Sequence, residues 1–225
     1  MSNINPKVFK FFRTLAKNNN RDWFEAHKPE FKALEVEVKI FMKAVEDNLQ
    51  IHDKIEKAKM FRIYRDVRFS KNKTPYKNHF GIAFHREKPA LRGGYYIHLE
   101  PMNSFLGVGF WGPKPEDLFR IRKELEVDAG ELREIIAKPD FQICWGSLEG
   151  DEVKTAPKGF DKNHPNIDLL KKKQYIFIKK LMDEEVFDKN FATLIDEHFQ
   201  KIRPYFDYMS SVLTTDLNGE SLLCH

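Results

Sequence analysis

The chain has 225 residues, 41% of them hydrophobic and 32% charged, and a formal net charge of +4. Its 20 Phe, 7 Tyr and 3 Trp exclude a disordered chain and can fill a sizeable core, while 11 Gly and 11 Pro exclude collagen-like or low-complexity character. No apolar run approaches the roughly 18 residues of a membrane helix, and the polar first residues hold no signal-peptide apolar region, so neither a membrane nor a leader is expected. Cys144 and Cys224 fit no disulfide framework and no zinc spacing, which points to a reducing, cytoplasmic setting.

Asn5 and Pro6 open the first predicted helix, since Asn caps free amides and Pro is tolerated at the first helical position. Val8, Phe11, Phe12 and Leu15 carry its stripe until Asn18, Asn19 and Asn20 stop it. A short turn with Trp23 and Phe24 follows, and Pro29 is expected to start a long amphipathic helix through Phe31, Leu34, Val38, Phe41, Met42, Val45 and Leu49. From Lys59 the period changes to two, and Phe61, Ile63, Arg65, Val67 and Phe69 read as the buried face of a strand. Further strands are expected around Phe80–Phe84, Tyr95–Leu99 and Ser104–Trp111, with short connections that favour antiparallel neighbours.

Past Pro113 and Pro115, helices are expected near Glu116 and at Asp128, where Asp128 and Glu131 have capping-box spacing. Residues 139–165 read as irregular, a short helix covers Ile167–Leu170, and Gln174–Lys180 alternates as a strand. From Asp188, Phe191, Leu194, Ile195, His198, Phe199, Ile202 and Phe206 form a helical stripe that Pro204 should kink or divide. With no repeat and no linker, the pattern gives one α+β domain over residues 1–225, a mostly antiparallel sheet with helices from both terminal segments packed on it.

Between Lys59 and His79 lie seven basic residues (Lys59, Arg62, Arg65, Arg68, Lys71, Lys73 and Lys77) against the single acid Asp66, a local balance of +6 that leaves −2 for the rest. Arg65 falls among the apolar positions, where a buried guanidinium requires acceptors. Either Arg65 pairs with a core acid, or the strand breaks after Tyr64 and Arg65, Asp66 and Arg68 line a cleft. The loop that follows is fixed by Pro75, which aims Lys73, Tyr76 and Lys77. Together, Arg62, Arg65, Arg68, Lys73, Tyr76 and Lys77 make a chemically sensible pocket for phosphate or carboxylate. In an enzyme acting on such a small molecule, Arg68, Lys73 and Lys77 would hold the oxyanion, Asp66 would serve as acid/base or orienting group, and Tyr76 would donate. The interleaved aromatics Phe61, Tyr64, Phe69 and Tyr76 also permit nucleic-acid stacking, and a scaffold whose charges are internal ion pairs is the third alternative.

The stretch Arg62-Ile-Tyr-Arg-Asp-Val-Arg-Phe-Ser70 followed by Lys73-Thr-Pro-Tyr-Lys77 resembles the DUF2461 family of uncharacterised proteins. The resemblance continues in order through Tyr95–Pro101, Gly107–Pro113, Ile121 and Arg122, Pro157–Pro165 and Leu169–Lys171. It implies a single α+β domain and assigns no reaction, cofactor or site residue.

Two other constellations need weighing. Gly107, Gly109 and Gly112 match a literal G-x-G-x-x-G, but Pro113 and Pro115 stand where the nucleotide-binding helix should begin, so the glycines are expected to serve a bulge or a close aromatic contact. His79, His85, His98 and Glu100 fall on matching phases of adjacent strands and would suit a divalent ion if the register allowed. Cross-strand hydrogen bonding is the competing role, and His98 and Glu100, two apart on one strand, are the pair to follow.

Overall fold

In a computed structural model that describes residues 3–223, the Asn5 side chain caps α1 (Pro6–Lys17) by accepting from the Lys7 amide at 3.0 Å. Asn18 ends α1, and Asn20 caps α2 (Arg21–His52) by accepting from Trp23 N at 2.9 Å. Pro29 therefore does not start the long helix but lies inside it. A proline there removes one backbone donor. The turns before it are held by the Asn20 cap and by Phe24, which is buried and packs on Phe31 with ring centroids 5.4 Å apart. The predicted apolar stripe of α2 is buried apart from the half-exposed Met42.

The next element also departs from expectation. Strand β1 is Ile55–Met60, and residues 61–69 are not a regular strand. Phe61 N still bonds Gly81 O at 2.8 Å. The chain then closes an arm in which Arg65 N donates to Pro75 O (2.9 Å) and Lys77 N to Ile63 O (2.8 Å), around an antiparallel bridge of Tyr64 with Tyr76. Of the apolar series, Ile63 is buried, whereas Phe61 is exposed and Phe69 is 97% exposed.

β2 (Phe80–Arg86), β3 (Gly94–Leu99) and β4 (Phe105–Phe110) follow where alternation placed them. After α3 (Pro115–Val127) and α4 (Gly130–Ala137), α5 (Pro139–Trp145) occupies part of the stretch read as irregular; its seven residues are too few to show a stripe. Asp128 does not form a capping box but accepts from Gly130 N at 2.7 Å. α6 (Ile167–Leu170), β5 (Tyr175–Lys180), α7 (Asp183–Phe187), α8 (Phe191–Lys201) and α9 (Arg203–Thr214) complete the described residues, with Pro204 at the division between the last two. Cys224 lies outside the described residues, and Cys144 is a buried free thiol.

The fold is α+β. The sheet is antiparallel, is not closed, and has the order β1-β2-β3-β4-β5, so chain neighbours are sheet neighbours. The Lys- and Glu-rich β1 is an edge strand, which explains why its sequence shows so little apolar alternation. Among the described residues no helix is long and apolar enough to cross a membrane.

The chain divides into two compact units. One holds the chain up to Phe84 with Tyr96–Leu106 and Lys180–Glu197; the other holds His85–Tyr95, Gly107–Lys179 and the chain from His198. In the first, α1 and α2 pack together through Phe11, Phe12, Phe24 and Phe31, and Phe80 meets Phe12 edge-on at 5.0 Å. In the second, the buried Tyr205 hydroxyl donates to Tyr175 O and the Tyr175 hydroxyl to Leu169 O, each at 2.9 Å. Gly109 sits at φ 123° where a Cβ would collide with the Tyr175 carbonyl. That close backbone approach accounts for one glycine of the G-x-G-x-x-G string without a nucleotide.

Candidate functional site

A cavity of about 500 Å³ opens within the first unit. One wall comes from the arm. Asn19, read from the sequence only as a helix stop, clamps the Tyr76 backbone: its Nδ2 donates to Tyr76 O at 3.0 Å and its Oδ1 accepts from Tyr76 N at 3.1 Å. The Tyr76 ring stacks on Phe24 at 4.0 Å and is 4% exposed. This anchor places Lys77, Asn78 and His79 along the cavity. Arg65 reaches the same space and donates through Nη1 to Thr74 Oγ1, whose hydroxyl is in turn held by Asn72 Oδ1 at 2.8 Å.

The facing wall belongs to β3 and the turn after it. His98 and Glu100, two apart on an extended chain, project to one side. His98 stacks on Phe105 at 4.6 Å, and its Nε2 lies 3.0 Å from Glu100 Oε2. The Glu100 carboxylate also accepts from Asn78 Nδ2 and Asn103 Nδ2, each at 2.7 Å. The His79 ring stands 4.1 Å from that of His98, and the nitrogen and oxygen donor atoms of His79, His98 and Glu100 all lie within 4.8 Å of one another. His85, grouped with these on the sequence, is exposed and is not part of the cluster, because six residues separate it from His79, about 20 Å along a strand.

Burial sets the protonation states. It lowers the His79 pKa to about 4, helped by the neighbouring His98. Burial also lowers His98, outweighing the Glu100 carboxylate that pulls the other way. For Glu100, burial acts upward, but the Asn103 and His98 hydrogen bonds together hold its carboxyl below the ordinary value. At neutral pH the cluster therefore holds two neutral imidazoles and one carboxylate. Because Glu100 can only accept, His98 Nε2 carries the proton, and its Nδ1 accepts from the Tyr96 hydroxyl at 3.2 Å. The Lys77 ammonium is shifted down by burial and by Arg62.

A family model described as a conserved hypothetical protein (DUF2461) matches residues 7–208. The chain belongs to the DUF2461 family. No curated protein and no solved structure matches it.

Within this DUF2461 chain, the residues singled out on charge separate into two groups. Arg65, Tyr76 and Lys77 line the cavity, together with His98 and Glu100. Arg62, Asp66, Arg68 and Lys73 do not. Asp66 and Arg68 pair with each other on the surface at 2.6 Å, 51% and 77% exposed respectively. Lys73 folds back onto Val67 O at 3.0 Å, and Arg62 is exposed. Asn19, Asn78, His79 and Asn103 join the site. The sequence signal for His79 was its strand phase, whereas the three asparagines carry no local signal.

Proposed function

We propose that this cavity recognises a phosphate or carboxylate group on a small molecule, with Arg65 and Lys77 as the cations that hold it. What carries the proposal is the state of those two side chains. Among the described residues the one hydrogen bond from the Arg65 side chain goes to Thr74, which leaves four of the five N–H groups of a guanidinium. Among the described residues neither Arg65 nor Lys77 has a carboxylate within salt-bridge range, and both line a cavity of about 500 Å³, a size typical of small-molecule pockets. A half-buried cation without a counter-ion is a site prepared for an anion that arrives from solution. Arg65 and Lys77 thus take the role that charge density alone spread over Arg68, Lys73 and Lys77. Asp66, tied to Arg68 outside the cavity, has no acid–base role in this proposal, and Tyr76 acts by position. The setting is cytoplasmic, which the free thiol of Cys144 supports.

Calorimetric titration of the full chain with inorganic phosphate and with acetate tests this. Saturable binding of at least one is expected, weakened about tenfold or more by Arg65→Ala and by Lys77→Ala and unchanged by Arg68→Ala or Lys73→Ala. Absence of saturable binding, or equal losses in all four variants, overturns it. One observation favours a nucleic-acid surface instead: Phe69 is 97% exposed, next to Arg68 and two residues before Lys71. Single-strand binding abolished by Phe69→Ala and retained by Arg65→Ala would move the function to that loop.

A further inference from the structure

We propose that His79, His98 and Glu100 form a binding site for a first-row divalent metal ion, with coordination positions left open to the cavity. The inference goes beyond anion recognition and does not rest on it, since none of the three ligands is one of the cations that would hold the anion. The donor set comes first. Two imidazoles and one carboxylate suit zinc and its neighbours, and three protein ligands are the number that leaves room for water or substrate.

Geometry comes second. Bonds of about 2.0–2.2 Å place the ligand atoms of a tetrahedral ion roughly 3.3–3.6 Å apart. His98 Nε2 and Glu100 Oε2, at 3.0 Å, already stand close to that spacing. His79, whose donor atom lies within 4.8 Å of the others, closes the triangle by a ring movement of no more than about 1.5 Å.

The supporting shell is the third and independent observation. Metal-binding carboxylates and imidazoles are oriented by outer hydrogen bonds. Here Asn78 and Asn103 both donate to Glu100, Tyr96 lies 3.2 Å from the far nitrogen of His98, and Phe105 stacks on the His98 ring. Coordination through Nε2 requires the His98 proton to move from Nε2 to Nδ1, and the Tyr96 hydroxyl oxygen then accepts it where before the hydroxyl donated. Tyr96 can serve either tautomer, so the shell tolerates the empty and the loaded state alike. A bound dication would also offset the one negative charge of a cavity proposed to receive anions, and its open positions would lie in the same cavity as Arg65 and Lys77.

The test is titration of the chelator-stripped full chain with zinc by calorimetry and with cobalt by visible absorption, which reports coordination number directly. One ion per chain is expected, with His98→Ala and Glu100→Gln each weakening it more than about tenfold and Tyr96→Phe by about tenfold. Glu100→Gln keeps the shape of the side chain, so a folded variant is at hand if His98→Ala melts early. Binding that is undiminished in Glu100→Gln and in His79→Ala, or no binding to the wild-type chain, overturns the site. Arg65→Ala should retain the ion. If phosphate binds and zinc does not, the metal fails alone; if zinc binds and no anion does, the anion proposal fails alone.

Discussion

Arg65 in the first unit is half-buried and Arg86 in the second fully buried, and their surroundings treat them differently. Arg86 is 0% exposed. Its Nη1 donates to Arg92 O at 2.9 Å, Ser210 Oγ at 3.2 Å and Phe206 O at 3.5 Å, its guanidinium lies over the Phe206 ring at 4.9 Å, and Asp207 stands 3.5 Å away. Arg65 has Thr74 alone and faces a cavity. What distinguishes the two is therefore the whole setting: Arg86 is enclosed with three acceptors, a ring and a carboxylate within reach, whereas Arg65 has one hydroxyl and open space beside it.

The largest effect is expected at Arg86. Arg86→Ala removes three hydrogen bonds, leaving Ser210 Oγ with only the Arg92 amide as donor, and takes a large side chain from a closed interior. It should cost about 3–5 kcal/mol, read as a lowered melting temperature or denaturant midpoint. A loss below about 1 kcal/mol would erase the contrast. Arg65→Ala, which removes one hydrogen bond at the edge of a cavity, is expected to cost about 1 kcal/mol or less by the same measurement while abolishing most of the anion affinity. A large stability loss there would return Arg65 to the structural class and the charged arm to a scaffold.

The same contrast explains how much was legible in advance. Helix stripes such as Phe31 to Leu49 are written locally, because burial repeats with the period of the helix, whereas β2 to β5 are legible by alternating residue type although most of their positions are buried. Arg65 was visible as a charge out of place. Arg86 was not, since it ends a strand beside polar residues and two of its acceptors, Phe206 O and Ser210 Oγ, lie more than a hundred residues away. The arm departs from a strand because Phe61, Val67 and Phe69 imitate a buried face, yet Val67 is only half-buried, Phe61 is exposed and Phe69 is almost wholly so. In the site, His98 and Glu100 share a side by strand period alone, but the approach of His79 depends on how β2 and β3 register, which a single sequence does not encode. Asn19 looked like punctuation, and its clamp on Tyr76 spans 57 residues.

The smallest effect separates charge density from function. Asp66 and Arg68 gave the basic arm much of its apparent chemistry, yet they are two residues apart in an exposed turn and satisfy each other through the Arg68 side chain and backbone amide. The Arg68 hydrogen bonds hold the Asp66 carboxyl below the ordinary carboxylate value. A depressed carboxyl pKa favours the folded chain above the unfolded pKa and loses that contribution as pH falls through the folded value. On the surface, water and salt screen the pair, so the shift should be detectable only at the residue itself. Carboxyl carbon NMR should therefore show Asp66 titrating low in the wild-type chain and returning toward the ordinary value in Arg68→Ala. The melting temperature at neutral pH and the phosphate affinity should both stay where they were. A drop in either would place the pair back in the working site, and with it the acid–base role that Asp66 has lost to the cavity.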